Sequence, residues 1–212
     1  NFMPFYRSIY PNEYTSILVW KIEESFDELM YGIPLRDTSR ERMLDMKSEL
    51  HKKAFLSVRQ LLKSVGYSDF DLYYSAFGKP FLADGNYISI THSHNFAAII
   101  ISQGEVGIDI EKNRPKIVTI QDKFVNTEVD SLSDEDLVKQ LTVVWGAKEA
   151  MYKVYPFSGM SFKRHIAIDP FLFADRRSSG RVIFGDWVKE YEIFFDFLHE
   201  DYTLVYALPK KE

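Results

Sequence analysis

The chain has 212 residues, of which 46% are hydrophobic and 27% charged, and it contains no cysteine. This balance is typical of a globular protein, and the lack of cysteine excludes disulfides, thiolate nucleophiles and Cys-ligated zinc. The formal net charge of −5 argues against a nucleic-acid partner, because phosphate binding needs a basic surface. No apolar run reaches the roughly 18 residues of a membrane span, and no signal sequence is visible. We therefore expect a cytoplasmic protein with neither membrane nor nucleic-acid partners.

The first half of the chain reads as a strand, a helix and a hairpin. Residues 15–25 form an apolar run that ends in acids, which predicts a strand. Apolar positions spaced by three and four predict a helix over 40–66, with Gly66 as its C-cap. Residues 86–102 then have two apolar arms around a polar turn at Ser93 to Asn95, the pattern of an antiparallel hairpin.

The second half repeats this order. Residues 105–113 read as a strand, and 133–155 as a helix that starts at the N-cap Ser133 and stops before Pro156. Residues 190–208 predict a second hairpin with its turn at His199 to Asp201. We infer an α+β fold of two similar α/β halves, 1–103 and 104–212, related by a pseudo-twofold axis with a ligand cleft between them.

Acidic residues mark the strand and helix of the second half. In an extended strand Gly107, Asp109 and Glu111 share one face, and the glycine is expected to leave the adjoining surface bare. With Glu149 of the helix they offer three oxygen ligands, which suit magnesium. The alternative is the ordinary polar face of a half-exposed strand. Lys148 occupies a slot in the apolar stripe of the helix, either as a functional cation or as a snorkelling lysine.

The first half of the chain contributes cationic side chains and small side chains that can donate hydrogen bonds. Residues 76–85 contain a Gly-Lys-Pro turn with Lys79, and residues 90–95 place Thr91, His92 and Ser93 in a hairpin turn. The helix adds Lys52, Lys53 and Arg59. Acids that hold magnesium and cations that hold phosphate together indicate a pyrophosphate site. A zinc site on His92 and His94 is a weaker alternative without further ligands.

These motifs resemble those of the 4′-phosphopantetheinyl transferase superfamily, in its two-halved, surfactin-synthetase-activator class. The matching motifs are G-I-D-I-E at 107–111, W-x-x-K-E-x-x-x-K at 145–153, G-K-P at 78–80, a T-H-S turn at 91–93 and an F-x-x-x-E segment within 123–132. The resemblance spans roughly residues 40 to 165. The first 35 and last 50 residues carry no motif and fit by element order.

The resemblance implies a magnesium-dependent enzyme that moves 4′-phosphopantetheine from coenzyme A to a serine of an acyl or peptidyl carrier protein of fatty acid, polyketide or nonribosomal peptide synthesis. Magnesium would be bound by Asp109, Glu111 and Glu149, and Gly107 would keep the strand surface clear for the pyrophosphate. The short members of the superfamily build the ligand cleft between the subunits of a trimer, so two halves in one chain imply a monomer. Catalysis would use Glu149 as base, directly or through a water, with Asp109 and Lys153. Coenzyme A would be contacted by Lys52, Lys53, Arg59, Lys79, Pro80, Thr91, His92, Ser93, Lys148 and Lys153.

Two rival functions are compatible with the same residues. One is a non-catalytic relative that binds coenzyme A or a carrier, and the other is a magnesium-dependent pyrophosphatase that needs no carrier. For the transferase, the carrier is expected to dock on residues 113–126, where Arg114, Lys116 and Lys123 alternate with apolar residues.

Overall fold

The structure is a computed structural model that describes residues 5–126, 133–199 and 201–210, in a mixture of helices and antiparallel sheets. The chain divides into two units, Asn1–Gly104 and Glu105–Glu212. Within the described ranges, no helix combines the length and the apolar character that crossing a membrane requires.

The first unit is built on a four-stranded antiparallel sheet with the order β1-β2-β6-β5. The long helix α3 packs on this sheet through a buried face that includes Leu56, Leu61 and Leu62. A short ribbon of β3 and β4 lies beside β5. The elements are β1 (Arg7–Asn12), β2 (Thr15–Lys21), α1 (Phe26–Met30), α2 (Asp37–Asp45), α3 (Glu49–Ser64), β3 (Leu72–Tyr74), β4 (Pro80–Leu82), β5 (Tyr87–Ser93) and β6 (Phe96–Ser102).

The helix expected over 40–66 is two helices, so that expectation is wrong in its first part. The backbone turns extended at Met46, and the Ser48 side chain accepts a hydrogen bond from the backbone N–H of His51, which starts α3 afresh. Apolar spacing does not register such a break, because it depends on one local cap. At the other end Gly66 adopts a left-handed φ of 87° just after α3, which confirms that the helix stops there.

The second unit has a five-stranded antiparallel sheet with the order β7-β11-β10-β9-β8. The helix α5 packs on β7 and β11, and its buried side chains include Val143, Ala147 and Met151. The elements are β7 (Gly107–Lys112), α4 (Lys116–Thr119), α5 (Asp134–Val154), α6 (Phe162–His165), β8 (Ile166–Ile168), β9 (Arg177–Phe184), β10 (Trp187–Leu198) and β11 (Tyr202–Pro209).

Both predicted hairpins are present, as β5 with β6 and as β10 with β11, although residue 200 in the second turn lies outside the described residues. The helix that starts after Ser133 is confirmed as well, since the Ser133 side chain caps the backbone N–H of Asp136. In the first unit β2 pairs with the second arm of the hairpin, β6, and in the second unit β7 pairs likewise with β11. The pseudo-twofold axis and the ligand cleft remain predictions.

Two glycines let α5 lie against the strands beneath it. A Cβ atom added to Gly107 would lie 1.9 Å from the backbone oxygen of Ala150, and one added to Gly146 would lie 2.7 Å from Cγ2 of Val205. Neither position has room for a side chain. The expectation that Gly107 leaves the strand surface open for a pyrophosphate is therefore wrong, because the backbone of α5 covers that surface.

We predict that Gly107→Ala lowers the free energy of unfolding by at least about 2 kcal/mol, since the new methyl group collides with backbone rather than with a flexible side chain. Urea unfolding at equilibrium measures the change. Gly104→Ala is the matched control: nothing lies within 4 Å of its added Cβ atom, so its stability should stay within about 0.5 kcal/mol of the wild type. Equal effects of the two substitutions would contradict the packing argument.

Candidate functional site

The acids of β7 face the helix that covers the strand. Alternate residues of a strand share a face, so Asp109 and Glu111 lie on the same side as Gly107, the side on which α5 packs. Asp109 is buried and Glu111 half-buried, while Ile108 and Ile110 fill the opposite side. The carboxylates are thus partly withdrawn from water, where charge needs a partner.

Lys153, in the last turn of α5, provides that partner for Asp109. Its Nζ atom lies 2.8 Å from Oδ1 of Asp109 and donates a second hydrogen bond of 2.9 Å to the backbone oxygen of Ile108. The Lys153 side chain is 27% exposed and that of Asp109 is 6% exposed. The ion pair therefore joins a nearly immobile carboxylate to a lysine that reaches solvent.

Trp145, two turns earlier on α5, fixes the second acid of the strand. Its indole Nε1 donates a 3.2 Å hydrogen bond to Oε1 of Glu111. The indole ring is held in turn by edge and tilted contacts with Phe124 and Phe162, at centroid distances of 5.2 and 5.3 Å. Its spacing from Glu149 was visible in the sequence, but its hydrogen bond depends on the distance between α5 and β7.

Burial and mutual repulsion raise the pKa values of two of the acids. Burial, followed by the Asp109 charge, raises the pKa of Glu111 to about 7, with a smaller contribution from Glu149. The same two causes raise the pKa of Glu149 to about 7. The ammonium of Lys153 lowers both pKa values in part. Asp109, Glu111, Glu149 and Lys153 therefore interact as one group.

The group fits a hard divalent cation by two criteria. Its donors are carboxylate oxygens, the ligands that magnesium prefers. The Lys153 ammonium shows that a positive charge is accommodated against Asp109. Among the described residues, no three His, Cys, Asp or Glu side chains are arranged in metal-holding geometry, so cation binding would require the acids to move together.

Lys148 was predicted to contact coenzyme A, but its side chain lies in the core. Its side chain is completely buried, as the slot in the apolar stripe indicated, and burial lowers its pKa to about 8. Its Nζ donates to the backbone oxygens of Phe124 at 2.6 Å and Phe162 at 2.9 Å, with Oδ1 of Asn126 at 3.5 Å. It therefore ties neighbouring segments to α5 and does not reach solvent. The F-x-x-x-E acid after Phe124 lies outside the described residues.

In the first unit, the residues expected to contact the phosphates of coenzyme A include those of the β3–β4 turn and of strand β5. Lys79 and Pro80 follow Gly78, whose positive φ closes the β3–β4 turn, and both are half-buried. On β5, Thr91 and Ser93 are buried and His92, between them, is exposed. The three residues of the T-H-S turn therefore do not share one face, and His92 is the one that presents its side chain to solvent.

The basic residues of α3 separate into two kinds. Lys52 and Lys53 are half-buried near the start of the helix. Arg59 is buried, with Nε 3.1 Å from Oδ1 of Asp69, and its guanidinium lies 3.5 Å from the centre of the Phe55 ring. A paired and buried guanidinium is held by the core, so Arg59 is a poor candidate for the predicted contact with a 3′-phosphate.

His51 was not among the predicted site residues. It is exposed in the first turn of α3, and its ring centre lies 5.9 Å from that of His92. The sequence signal for His51 as a site residue was only its position next to Lys52. His92 therefore faces the basic end of α3. The alternative zinc site needs His92 and His94 on the same face of a strand, but β5 ends at Ser93 and His94 adopts a positive φ of 48°, so that expectation is wrong.

The comparisons with known proteins bear on the second unit. Residues 105–207 match the family model described as the 4′-phosphopantetheinyl transferase superfamily, over just under half of the chain. The matched segment contains all four members of the acid and lysine group. No curated protein matches the chain. The similarity supports phosphopantetheine transfer as the general activity, which makes the protein a candidate transferase.

We predict that the metal-free protein loses stability as pH rises from about 5 to 8. In the folded state Glu111 and Glu149 keep their protons up to about pH 7, whereas unfolded glutamates lose them near their ordinary pKa of 4.5. The folded state therefore binds more protons in this window, and the free energy of unfolding falls with pH. Glu111→Gln and Glu149→Gln should each raise stability at pH 8 by on the order of 2 kcal/mol, with little effect near pH 5.

Thermal or urea unfolding with a chelator measures this difference at the two pH values. The control is Glu135→Gln on the same helix, because the Glu135 side chain is 79% exposed and its pairing with Lys139 contributes little. If either of the two site variants were less stable than the wild type at pH 8, the electrostatic account of the cluster would fail.

Proposed function

We propose that the protein transfers 4′-phosphopantetheine from coenzyme A to a serine of an acyl or peptidyl carrier protein, releasing adenosine 3′,5′-bisphosphate. The observation that carries the proposal is the group of Asp109, Glu111, Glu149 and Lys153, held together by α5 and β7 inside the segment that matches the superfamily. Its coupled carboxyls and lysine supply the proton acceptor and the charge that this transfer needs.

In the reaction, the serine oxygen forms a bond to the phosphorus that carries the pantetheine arm. The bond from this phosphorus to the bridging oxygen breaks, and adenosine 3′,5′-bisphosphate leaves with the electron pair. Glu149, in the acid group beside Asp109 and Lys153, accepts the serine proton directly or through a water. Lys153 offers positive charge to the phosphate oxygens, since such transfers depend mainly on positioning and charge neutralisation.

Asp109, Glu111 and Glu149 are the residues that would hold magnesium. When bound, the ion neutralises pyrophosphate charge. Trp145 keeps Glu111 oriented through its indole N–H. For the phosphates of coenzyme A we propose Lys79 and His92, supported by Pro80, Thr91 and Ser93, with Lys52 or Lys53 for the 3′-phosphate. Lys148 and Arg59 are assigned to the core instead, because both are buried and bonded there.

We predict that Glu149→Gln abolishes carrier modification but still binds coenzyme A, because the amide keeps the shape of the side chain and loses its basicity. The assay is the mass of an apo-carrier incubated with coenzyme A and magnesium, which should rise by about 340 Da with the wild type, an estimate for the covalently added group.

A near-normal rate with Glu149→Gln would remove it as the base. A wild type that binds coenzyme A without modifying any carrier of an acyl- and peptidyl-carrier panel would instead indicate a binding module. Release of adenosine 3′,5′-bisphosphate without carrier would indicate a pyrophosphatase.

For the carrier we propose docking at a basic pocket next to Glu111. The pocket has a volume of about 260 Å³, and its lining includes Glu111, Arg114, Lys116, Ile117 and Trp145. Arg114 and Lys116 are exposed, and no ion pair is seen for either among the described residues. Cations around an apolar floor suit an acidic, amphipathic partner, and local charge matters more here because the chain is acidic as a whole.

We predict that Arg114→Glu combined with Lys116→Glu raises the KM for an acidic carrier about tenfold or more, through slower association, while the KM for coenzyme A changes little. Steady-state kinetics with each substrate varied in turn measure both values. The charge-matched control is Arg177→Glu with Lys189→Glu, on β9 and β10, which should leave the carrier KM within about twofold. Equal effects of both pairs would rule out this docking surface.

A further inference from the structure

Lys153 is the cation that lies against the acid group. Its ammonium touches Asp109 at 2.8 Å and influences Glu111 and Glu149 from the same position. Neither of two other lysines of α5 is placed to do this. Lys148 donates its hydrogen bonds to backbone oxygens, and Lys139 forms an ion pair of 2.7 Å with Glu135, one helical turn away.

The two partners of the ion pair differ in their freedom to move. Asp109 is 6% exposed in its side chain and lies in the middle of β7, which is paired with β11 along its whole length. Lys153 is 27% exposed and ends in a flexible four-carbon stem near the C-terminus of α5. A second cation that approaches Asp109 would therefore displace the lysine, because the lysine can extend into water and the aspartate cannot leave the strand.

We infer that Lys153 is an internal counterion that competes with a divalent cation for Asp109 and is released when that cation binds. The inference rests on the divalent-ion site proposed above. Lys153 is bonded to Oδ1 of Asp109, and a divalent ion bound to either oxygen of this carboxylate would lie only a few ångströms from the ammonium, where two positive charges repel strongly. The lysine thus keeps the buried acids partly neutralised until a cation binds, at the expense of cation affinity. Once released, its ammonium carries its charge to the anionic substrate, so cation binding prepares the protein for the pyrophosphate of coenzyme A.

The test is a calorimetric titration of the chelator-treated full chain with magnesium chloride, in the absence of coenzyme A and carrier. Lys153→Met removes the competing charge and should bind magnesium about tenfold more tightly than the wild type. Lys153→Arg keeps the charge and should stay within about threefold of the wild type. Lys139→Met is the matched control, since Lys139 is 28% exposed, much like Lys153, but pairs with Glu135 and not with the acid group, so its loss should leave the affinity unchanged.

A merely structural lysine gives the opposite result. If Lys153 only ties α5 to β7, Lys153→Met loosens the acids and its magnesium affinity stays equal to or falls below that of the wild type, which overturns the inference. Absence of magnesium binding in both proteins also overturns it. The carrier mass assay on the wild type decides separately whether the transferase function stands, so the two failures are distinguishable.

A measurement on the wild type keeps the inference testable even if Lys153→Met does not fold. Amine labelling followed by peptide mass spectrometry compares Lys153 with and without magnesium, using Lys139 as the internal reference. Release from Asp109 should increase the labelling of Lys153 at least about threefold, because a free amine reacts and an ion-paired one is protected. Unchanged or decreased labelling at saturating magnesium would show that the ion pair persists, and would overturn the inference.

Discussion

The close contact between α5 and β7 is the constraint on which the candidate site depends. Backbone of the helix meets backbone of the strand at Gly107, where even a methyl group would collide with Ala150. At Gly146 the same closeness brings the helix onto Val205 of β11. This approach lets Trp145 reach Glu111 and Lys153 reach Asp109. A wider spacing would separate these pairs, so two small residues support the chemistry without taking part in it.

The contact has an electrostatic cost, because it buries acids that repel one another. Glu111 and Glu149 are held partly protonated near neutral pH by burial and by the Asp109 charge. A core made of apolar side chains at these positions would be more stable. Strain of this kind is typical of sites that are completed by a ligand, since a bound cation would relieve the repulsion among the acids. Lys153 provides a partial substitute within the chain itself.

Much of the fold was predictable because it follows from local patterns. The boundaries of α5, the Gly66 stop and the two hairpins depend on caps, glycine and alternation, which the sequence shows directly. The break between α2 and α3 was missed because the apolar spacing continues across it. Strand β9 was not predicted, since it lies in the stretch that carries no motif.

The site was predictable in its residue types but not in all their roles. Asp109 and Glu149 were identified from the motif, and the structure places them in one electrostatic group. The roles of Lys148 and Arg59 depend on partners that lie far away in the sequence or on backbone atoms, which no spacing rule reveals. Gly107 shows the same limit, because its neighbour is the backbone of a helix 43 positions later, at Ala150.

The most direct measurement of the central claim is an anomalous-scattering map from crystals of the protein soaked in manganese, an ion that takes the same oxygen ligands as magnesium. The account predicts one strong peak with carboxylate oxygens of Asp109, Glu111 and Glu149 at about 2.2 Å, and Lys153 displaced from Asp109. A peak elsewhere, or an acid group that stays as it is with Lys153 still bound to Asp109 at saturating manganese, would contradict it.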